Sequence, residues 1–407
     1  MLLSFRVSNY RSLRDEQQLN LAPVFAADRP PGTDWPAVPV AAIFGANASG
    51  KSNLIDAVRY FIDLALNSDR RAEPGHGIER PSFGLDPALA TQPSWFDMDA
   101  VIDGTRYTYG FGVDDGGIVE EWLHRYPSSR RQIVFERAGK DYRFGTTVRA
   151  DLHKASSITP ANILFMTSAA RFELADVQPV YRWLRQIRFA YPTSFKARTV
   201  HERLAALLRE PGRRQQVLEL LKFADFGIAD IKVDEPSGEQ DEAQNVLLHP
   251  PNVMFEMKGA QPGALLRVGQ QSTGTITFLM QLSSVLSCLE EGSAMLIDEL
   301  ESNLHPNLAA RIVTLFQNPR INPRGAQLIF TTHNTSLLGS NNEVLKRDQI
   351  WFVEKNHQNG STALYPLSDF KPRDKENTER RYLGGGYGAV PFLDEEAVVR
   401  ALSASEG

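Results

Sequence analysis

The stretch Gly45-Ala46-Asn47-Ala48-Ser49-Gly50-Lys51-Ser52 constrains this chain more than any other, because it fits the phosphate-cradling pattern G-x-x-x-x-G-K-[ST] at every fixed position. Its flanks supply the context that the motif needs. Val38 to Phe44 reads as a short apolar strand, and Leu54, Val58, Phe61, Ile62 and Ala65 recur at helical spacing behind the loop. Gly45 and Gly50 let the backbone curl until its N–H groups face a phosphate, and the helix that follows adds its positive N-terminal end. Lys51 is expected to reach the β- and γ-phosphates and Ser52 to ligate Mg²⁺; Asn47, Ser49 and Asn53 complete the expected nucleotide contacts. A nucleoside triphosphate, ATP, is the expected ligand.

A second element points to hydrolysis. Ala294-Met295-Leu296-Ile297-Asp298-Glu299 is a buried-type strand ending in two carboxylates, which places them at the carboxyl edge of a sheet, where α/β proteins bind ligands. Asp298 is the expected Mg²⁺ partner of a Walker B strand, and Glu299 fits a general base that takes a proton from the attacking water. His333 follows another apolar strand, Gln327 to Thr332. An imidazole there is placed to contact the γ-phosphate, and its order after the two Walker motifs favours that reading over a structural one.

With Lys51, Asp298, Glu299 and His333 in this order, the chain resembles the ABC-type ATPases of the SMC and RecF kind, and most of all the AAA15-type (abortive-infection or OLD-like) bacterial ATPases. The opening Leu3 to Leu13 is similar to the N-terminal strand and arginine turn of that group, which implies that Arg11 lies near the nucleotide. Gln271-Ser272-Thr273-Gly274-Thr275, just before an apolar helical run, resembles the group's degenerate signature. The resemblance implies that Ser272 and Gly274 meet the nucleotide of the opposite subunit in a head-to-tail homodimer. Glu301 to Pro306 matches the D-loop position, with Pro306 suited to the first turn of a helix.

Between these motifs the chain changes character. Apolar residues alternate from Trp95 to Val113 around Asp103-Gly104, and strand-like runs follow to Phe144, which reads as a β-meander flanking the nucleotide. Helical patterns dominate from Asn162 to Phe223 without the heptads of a long coiled coil, so a compact helical lid is expected. Asp234–Glu242 reads as a solvated acidic loop, Arg171 as an ordinary helix-face arginine, and the glycine-rich Tyr382 to Pro391 as a flexible tail or partner-docking segment. The expected fold is α/β: an ABC-type P-loop NTPase core with a flanking antiparallel β-sheet and an inserted helical lid. Residues 1–160 form the N-terminal lobe, 161–225 the lid, and 226–407 the C-terminal lobe.

Composition narrows the setting. The net charge of −5 gives no global drive toward nucleic acid, though a local stripe of Arg198, Arg203, Arg209, Arg213 and Arg214 would suit a RecF-like clamp. Cys288 is the only cysteine, which excludes an intrachain disulfide. No signal peptide opens the chain and no apolar run approaches the roughly 18 residues of a membrane span, so a cytoplasmic protein with no membrane partner is expected. The 74 residues after His333 are too few for a further nuclease domain. The expected function is therefore an ATP-hydrolysing homodimeric switch of an anti-phage defence system whose effector, such as a nuclease, is a separate chain. A DNA-repair ATPase is the alternative.

Overall fold

In a computed structural model of the chain, residues 1–73, 76–146, 151–190, 197–210, 212–224, 226–234, 240–241, 246–247, 251–261, 263–339, 344–373 and 376–391 are described. The chain opens with β1 (Leu2–Ser8), β2 (Gln17–Asn20) and β3 (Val40–Phe44), and β3 runs through the glycine loop into α1 (Lys51–Arg71). After the short α2 (Pro87–Ala90) comes the meander: β4 (Ser94–Ile102), β5 (Thr105–Asp114), β6 (Gly117–Tyr126), β7 (Gln132–Ala138) and β8 (Asp141–Phe144). Then follow α3 (Asp151–Ile158), α4 (Phe165–Arg171), α5 (Gln178–Gln186), β9 (Arg188–Ala190), α6 (Ala197–Arg209) and α7 (Arg213–Phe223). Short strands come next: β10 (Ile228–Asp234), β11 (Gln240–Asp241), β12 (Val246–Leu247), β13 (Asn252–Met257) and β14 (Leu265–Arg267). The last part holds α8 (Thr273–Glu291), β15 (Ala294–Ile297), α9 (Pro306–Gln317), β16 (Gln327–Thr332), β17 (Ile350–Lys355), β18 (Thr362–Pro366) and α10 (Thr378–Leu383).

The central sheet has the order β18-β17-β3-β16-β15-β9, parallel except for β18. β3, β16 and β15 are buried from end to end, as a parallel sheet covered on both faces requires. Side chains alternate between two apolar cores. Ala41, Ile43, Leu296, Ile329 and Val353 face one core, whereas Val40, Ala42, Phe44, Met295, Ile297, Leu328, Phe330 and Phe352 face the other. On the first face lie α1, α4, α5 and an antiparallel sheet ordered β2-β1-β4-β5-β6-β7-β8. The expected meander is this sheet, and its β4–β5 turn places Asp103 and Gly104 both at positive φ, as a two-residue hairpin demands.

The helical run from Asn162 to Phe223 does not pack as one lid. Phe165, Met166, Val180, Trp183 and Leu184 of α4 and α5 fill the first core, and β9 pairs with β15 at the sheet edge. Leu204, Leu208, Val217 and Leu221 of α6 and α7 join the second core beside α8. α6 and α7 thus share the second core with β10 and β13 of the small β10-β13-β14 sheet, apart from α4 and α5. Helical spacing locates an apolar stripe but not the core that the stripe will meet. The acidic stretch Asp234–Glu242 lies mostly outside the described residues.

In the glycine-rich segment that begins at the end of α10, Tyr382, Tyr387 and Ala389 are buried while Leu383 to Gly386 and Pro391 are exposed. Tyr387 is 1% exposed and stacks on Phe352 at 5.4 Å between ring centroids, while Tyr382 stacks on the same ring at 5.4 Å and meets Phe44 edge-on at 6.0 Å. Its aromatic residues therefore belong to the second core.

One buried side chain stitches the two sheets. Gln327, at the start of β16, accepts the Leu2 N–H at 2.5 Å and donates to the carbonyl oxygens of Leu2 and Val38 at 2.9 and 3.1 Å. Gln327→Leu keeps the volume and strands those backbone groups. It should lower the unfolding free energy by at least about 1–3 kcal/mol, read from the shift of a urea unfolding midpoint.

Candidate active site

Sheet order brings the sequence motifs to one edge. Thr332 of β16 pairs with Phe44 of β3, and Ile297 of β15 pairs with Phe330 of β16, so Gly45, His333 and Asp298 leave neighbouring strands at their carboxyl ends. The loop between β3 and α1 is held in a conformation that few side chains allow. Ala48 has φ 59° and Gly50 φ 109°, and a Cβ on Gly45 would run into the Val353 carbonyl oxygen.

Lys51 lies across this loop. It is 6% exposed, and its Nζ donates to the carbonyl oxygens of Gly45 and Ala46, each at 2.8 Å. Burial pushes its pKa down to about 8, against the opposing charges of Glu299, Asp298 and Glu301. The Ser49 hydroxyl beside it is buried with no hydrogen-bond partner among the described residues. A desolvated ammonium, an unpartnered hydroxyl and a helix N-terminus make a cradle that fits a polyphosphate. Asn47 and Ser52 are exposed at the loop.

The Walker B side is knitted to the end of β16. The Thr331 hydroxyl donates to Asp298 Oδ1 at 2.6 Å and accepts the Glu299 N–H at 2.7 Å, while the Leu300 N–H donates to the Thr331 carbonyl at 3.1 Å. Glu299 sits at φ 55°, a left-handed conformation uncommon for glutamate, and among the described residues its carboxylate has no hydrogen bond or ion pair. For a metal, the Ser52 hydroxyl and the second Asp298 oxygen are hard oxygen donors of the kind Mg²⁺ takes, so these residues fit that ion. The His333 imidazole has its pKa lowered, first by burial and then by the Lys51 charge.

Other expected contacts fall elsewhere. The Arg11 guanidinium pairs with Asp56 of α1 at 2.6 Å, and Arg171 pairs with Asp69 at 2.8 Å. The Asn53 side-chain amide donates to the Ser12 hydroxyl at 2.6 Å, which turns it to the back of the loop. Ser272 caps α8 by accepting the Thr275 N–H at 3.1 Å, and a Cβ on Gly274 would lie 2.7 Å from the Asn303 carbonyl oxygen. Among the described residues, the Ser272 side chain hydrogen-bonds only within its own cap. The arginine stripe is largely consumed: Arg213 is buried between Glu210 and Glu290, and Arg214 pairs with Asp230 at 2.6 Å. The Arg198 side chain lies outside the described residues.

Several residues at the site carried no sequence signal of that role. Thr362 of β18 donates to the Ser49 carbonyl at 2.8 Å and sits 2.7 Å from the Ser12 hydroxyl, so the back of the loop is clamped from both ends of the chain. Thr331, Thr332 and Glu301 join the loops after β15 and β16. A polar pair closing an apolar strand hints at Thr331 and Thr332, but no spacing rule pairs Thr362 with residue 49.

The profile of the family described as "AAA domain, putative AbiEii toxin, Type IV TA system" matches residues 40–339, from β3 to just past His333. The chain belongs to this AAA-domain family. Two solved structures show remote similarity. The Smc head domain with an extended coiled coil, bound to the C-terminal domain of ScpA and derived from Pyrococcus furiosus, is 13% identical, with 91% of this chain and 97% of that one covered and a TM-score of 0.41. The cbiO1 protein from Clostridium perfringens, part of the ABC transporter complex cbiONQ, is 11% identical, with 94% and 95% covered and a TM-score of 0.34. No curated protein matches the sequence significantly. Family and loop together make this AAA domain a P-loop ATPase, the class that binds ATP with Mg²⁺. No helix among the described residues is long and apolar enough to cross a membrane.

The buried Lys51 predicts a pH signature. Phosphates favour its ammonium form, so ATP affinity is full below about 8 and falls as pH rises through that value. Binding at a pH of about 8.5 should then take up protons, visible by calorimetry in two buffers of different ionisation enthalpy. Tight binding without uptake would remove Lys51 from the phosphate contact.

Proposed function

We propose that the protein is an ATP-hydrolysing switch that works as a homodimer and controls a separate effector, such as a nuclease, in a bacterial defence of the abortive-infection kind. The observation that carries the catalytic part is the meeting of Lys51, Asp298, Glu299 and His333 at one sheet edge, where the Glu299 carboxylate has no hydrogen bond or ion pair among the described residues. Lys51 and the loop N–H groups hold the β- and γ-phosphates. Glu299 orients the attacking water and takes its proton, because its unengaged carboxylate is the one able to accept. The His333 ring, whose pKa is lowered by partial burial and by the Lys51 charge, contacts the γ-phosphate through a ring N–H. Ser52 and Asp298 would hold Mg²⁺, which would supply neutralisation of the phosphate charge.

The defence assignment draws on the family, whose description names an AbiEii toxin and a type IV toxin–antitoxin system. The dimer draws on the α8 N-terminus: Ser272 is exposed, hydrogen-bonds only within its own cap among the described residues, and with Gly274 would complete the site of a second copy. The consumed arginines Arg213 and Arg214 weigh against the clamp-like alternative.

Lys51→Ala should abolish nucleotide binding, whereas Glu299→Gln should bind ATP and lose about 10²–10⁴-fold in turnover, measured by fluorescent-nucleotide titration and phosphate release. Equal turnover by Glu299→Gln and the wild type would remove Glu299 as the base. Glu299→Gln with ATP and Mg²⁺ should also sediment as a dimer while Lys51→Ala stays monomeric. Mixed Lys51→Ala and Ser272→Arg chains should recover part of the activity through one intact composite site. A Glu299→Gln protein that remains monomeric at saturating ATP would overturn the shared site.

A further inference from the structure

We propose that Glu301 is a positioning residue, which sets both the base Glu299 and the switch His333 by bridging the loops after β15 and β16. The role rests on the ATPase reading above and adds to it a residue that takes no part in proton transfer. Glu301 Oε2 accepts the Thr332 hydroxyl at 2.7 Å, and Oε1 accepts the His333 backbone N–H at 2.5 Å. The Thr332 hydroxyl in turn accepts the Asn334 N–H at 3.0 Å, so the carboxylate holds the whole turn that carries the imidazole.

The same contact closes a bracket around Glu299. Asp298, Glu299 and Leu300 are all tied to Thr331, and just beyond them Glu301 is tied to Thr332 and His333. Between these ties Glu299 keeps φ 55°, a conformation that survives in a non-glycine residue only when its surroundings over-determine it. Without the Glu301 ties only the Thr331 contacts would hold the turn against relaxation toward right-handed backbone, which would re-aim the Glu299 carboxylate. Both Glu301 oxygens are engaged by donors, whereas among the described residues the Glu299 carboxylate has none. This division separates the anchoring acid from the reacting one. The Glu301 charge also acts on Lys51 and His333, which keeps it within the same electrostatic cluster.

Glutamine can substitute for an anchor but not for a base. In Glu301→Gln the amide oxygen still accepts the His333 N–H, and the amide N–H₂ can donate to the Thr332 oxygen once that hydroxyl turns. Alanine removes both acceptors and leaves the His333 N–H without its partner.

The experiment compares the full chain with Glu301→Ala, Glu301→Gln and Thr332→Val in phosphate release with ATP and Mg²⁺, fluorescent-nucleotide titration and thermal melting. Glu301→Ala should lose about 10²-fold in kcat, the scale of a misplaced catalytic group, with nucleotide affinity and melting close to wild type. Glu301→Gln should recover most of that loss, and Thr332→Val, which removes one donor, should show a smaller fall in kcat alone. A Glu301→Gln variant as inactive as Glu299→Gln would make Glu301 a proton-transfer group and overturn the proposal. So would a Glu301→Ala variant with wild-type kcat, or one whose loss lies in nucleotide binding or folding. A wild-type chain that hydrolyses no ATP would instead defeat the ATPase reading itself.

Discussion

Burial of β3 between two apolar cores is the constraint from which the rest of the molecule follows. Ala41 and Ile43 point into one core, Val40, Ala42 and Phe44 into the other, and neither face can reach water without opening a core. The strand therefore ends at one fixed place, and the loop after Phe44 has to turn there. Because β3 pairs with β16 on one side and β17 on the other, the loop meets His333 along one edge and the Val353 carbonyl along the other. A shift of one residue in that register would exchange the cores of every side chain on the strand.

The energetic tension of the site lies in charge rather than packing. Lys51 is an ammonium withdrawn from water with two backbone carbonyls as its only hydrogen-bond acceptors among the described residues, while Asp298, Glu299 and Glu301 supply compensating charge. Bringing two acids of this cluster to one turn requires Glu299 and Asn303 to adopt left-handed backbone, at φ 55° and 62°. Such conformations cost on the order of 1 kcal/mol each, and the hydrogen bonds from Thr331, Thr332 and the His333 N–H hold the turn against relaxation. A triphosphate with its metal would bring to this cluster both the negative charge that Lys51 favours and the positive charge that the carboxylates favour.

Both ends of the chain take part in holding the loop. Ser12, after β1, and Thr362, at the start of β18, meet behind Ser49 and Gly50, where a Cβ on Gly50 would strike the Thr362 side chain. Gln327 ties β1 to the base of β3, and Tyr382 and Tyr387 pack on the ring of Phe352 beside Phe44. The phosphate loop is thus the point where the antiparallel sheet, the parallel sheet and the last described segment converge. A rearrangement of the loop on nucleotide binding would be felt by all three.

The sequence by itself determined the local chemistry: the glycine loop at residues 45–52, the acid pair closing an apolar strand at Asp298 and Glu299, the alternation of the meander and its Asp103-Gly104 turn. These features are readable because each depends on residues a few positions apart, through backbone freedom, strand period or helix period. Tertiary structure alone decided which core each helix faces, so that α4 and α5 joined the first core while α6 and α7 joined the second. It also decided that Tyr387 of the glycine-rich segment packs on Phe352, that Asn53 turns to Ser12, and that Glu301 spans to Thr332 and His333. Those contacts join residues 31 to 41 positions apart. Their geometry is set by the strand order β18-β17-β3-β16-β15-β9, a property of how whole elements cover one another's apolar faces, and no short-range spacing encodes it.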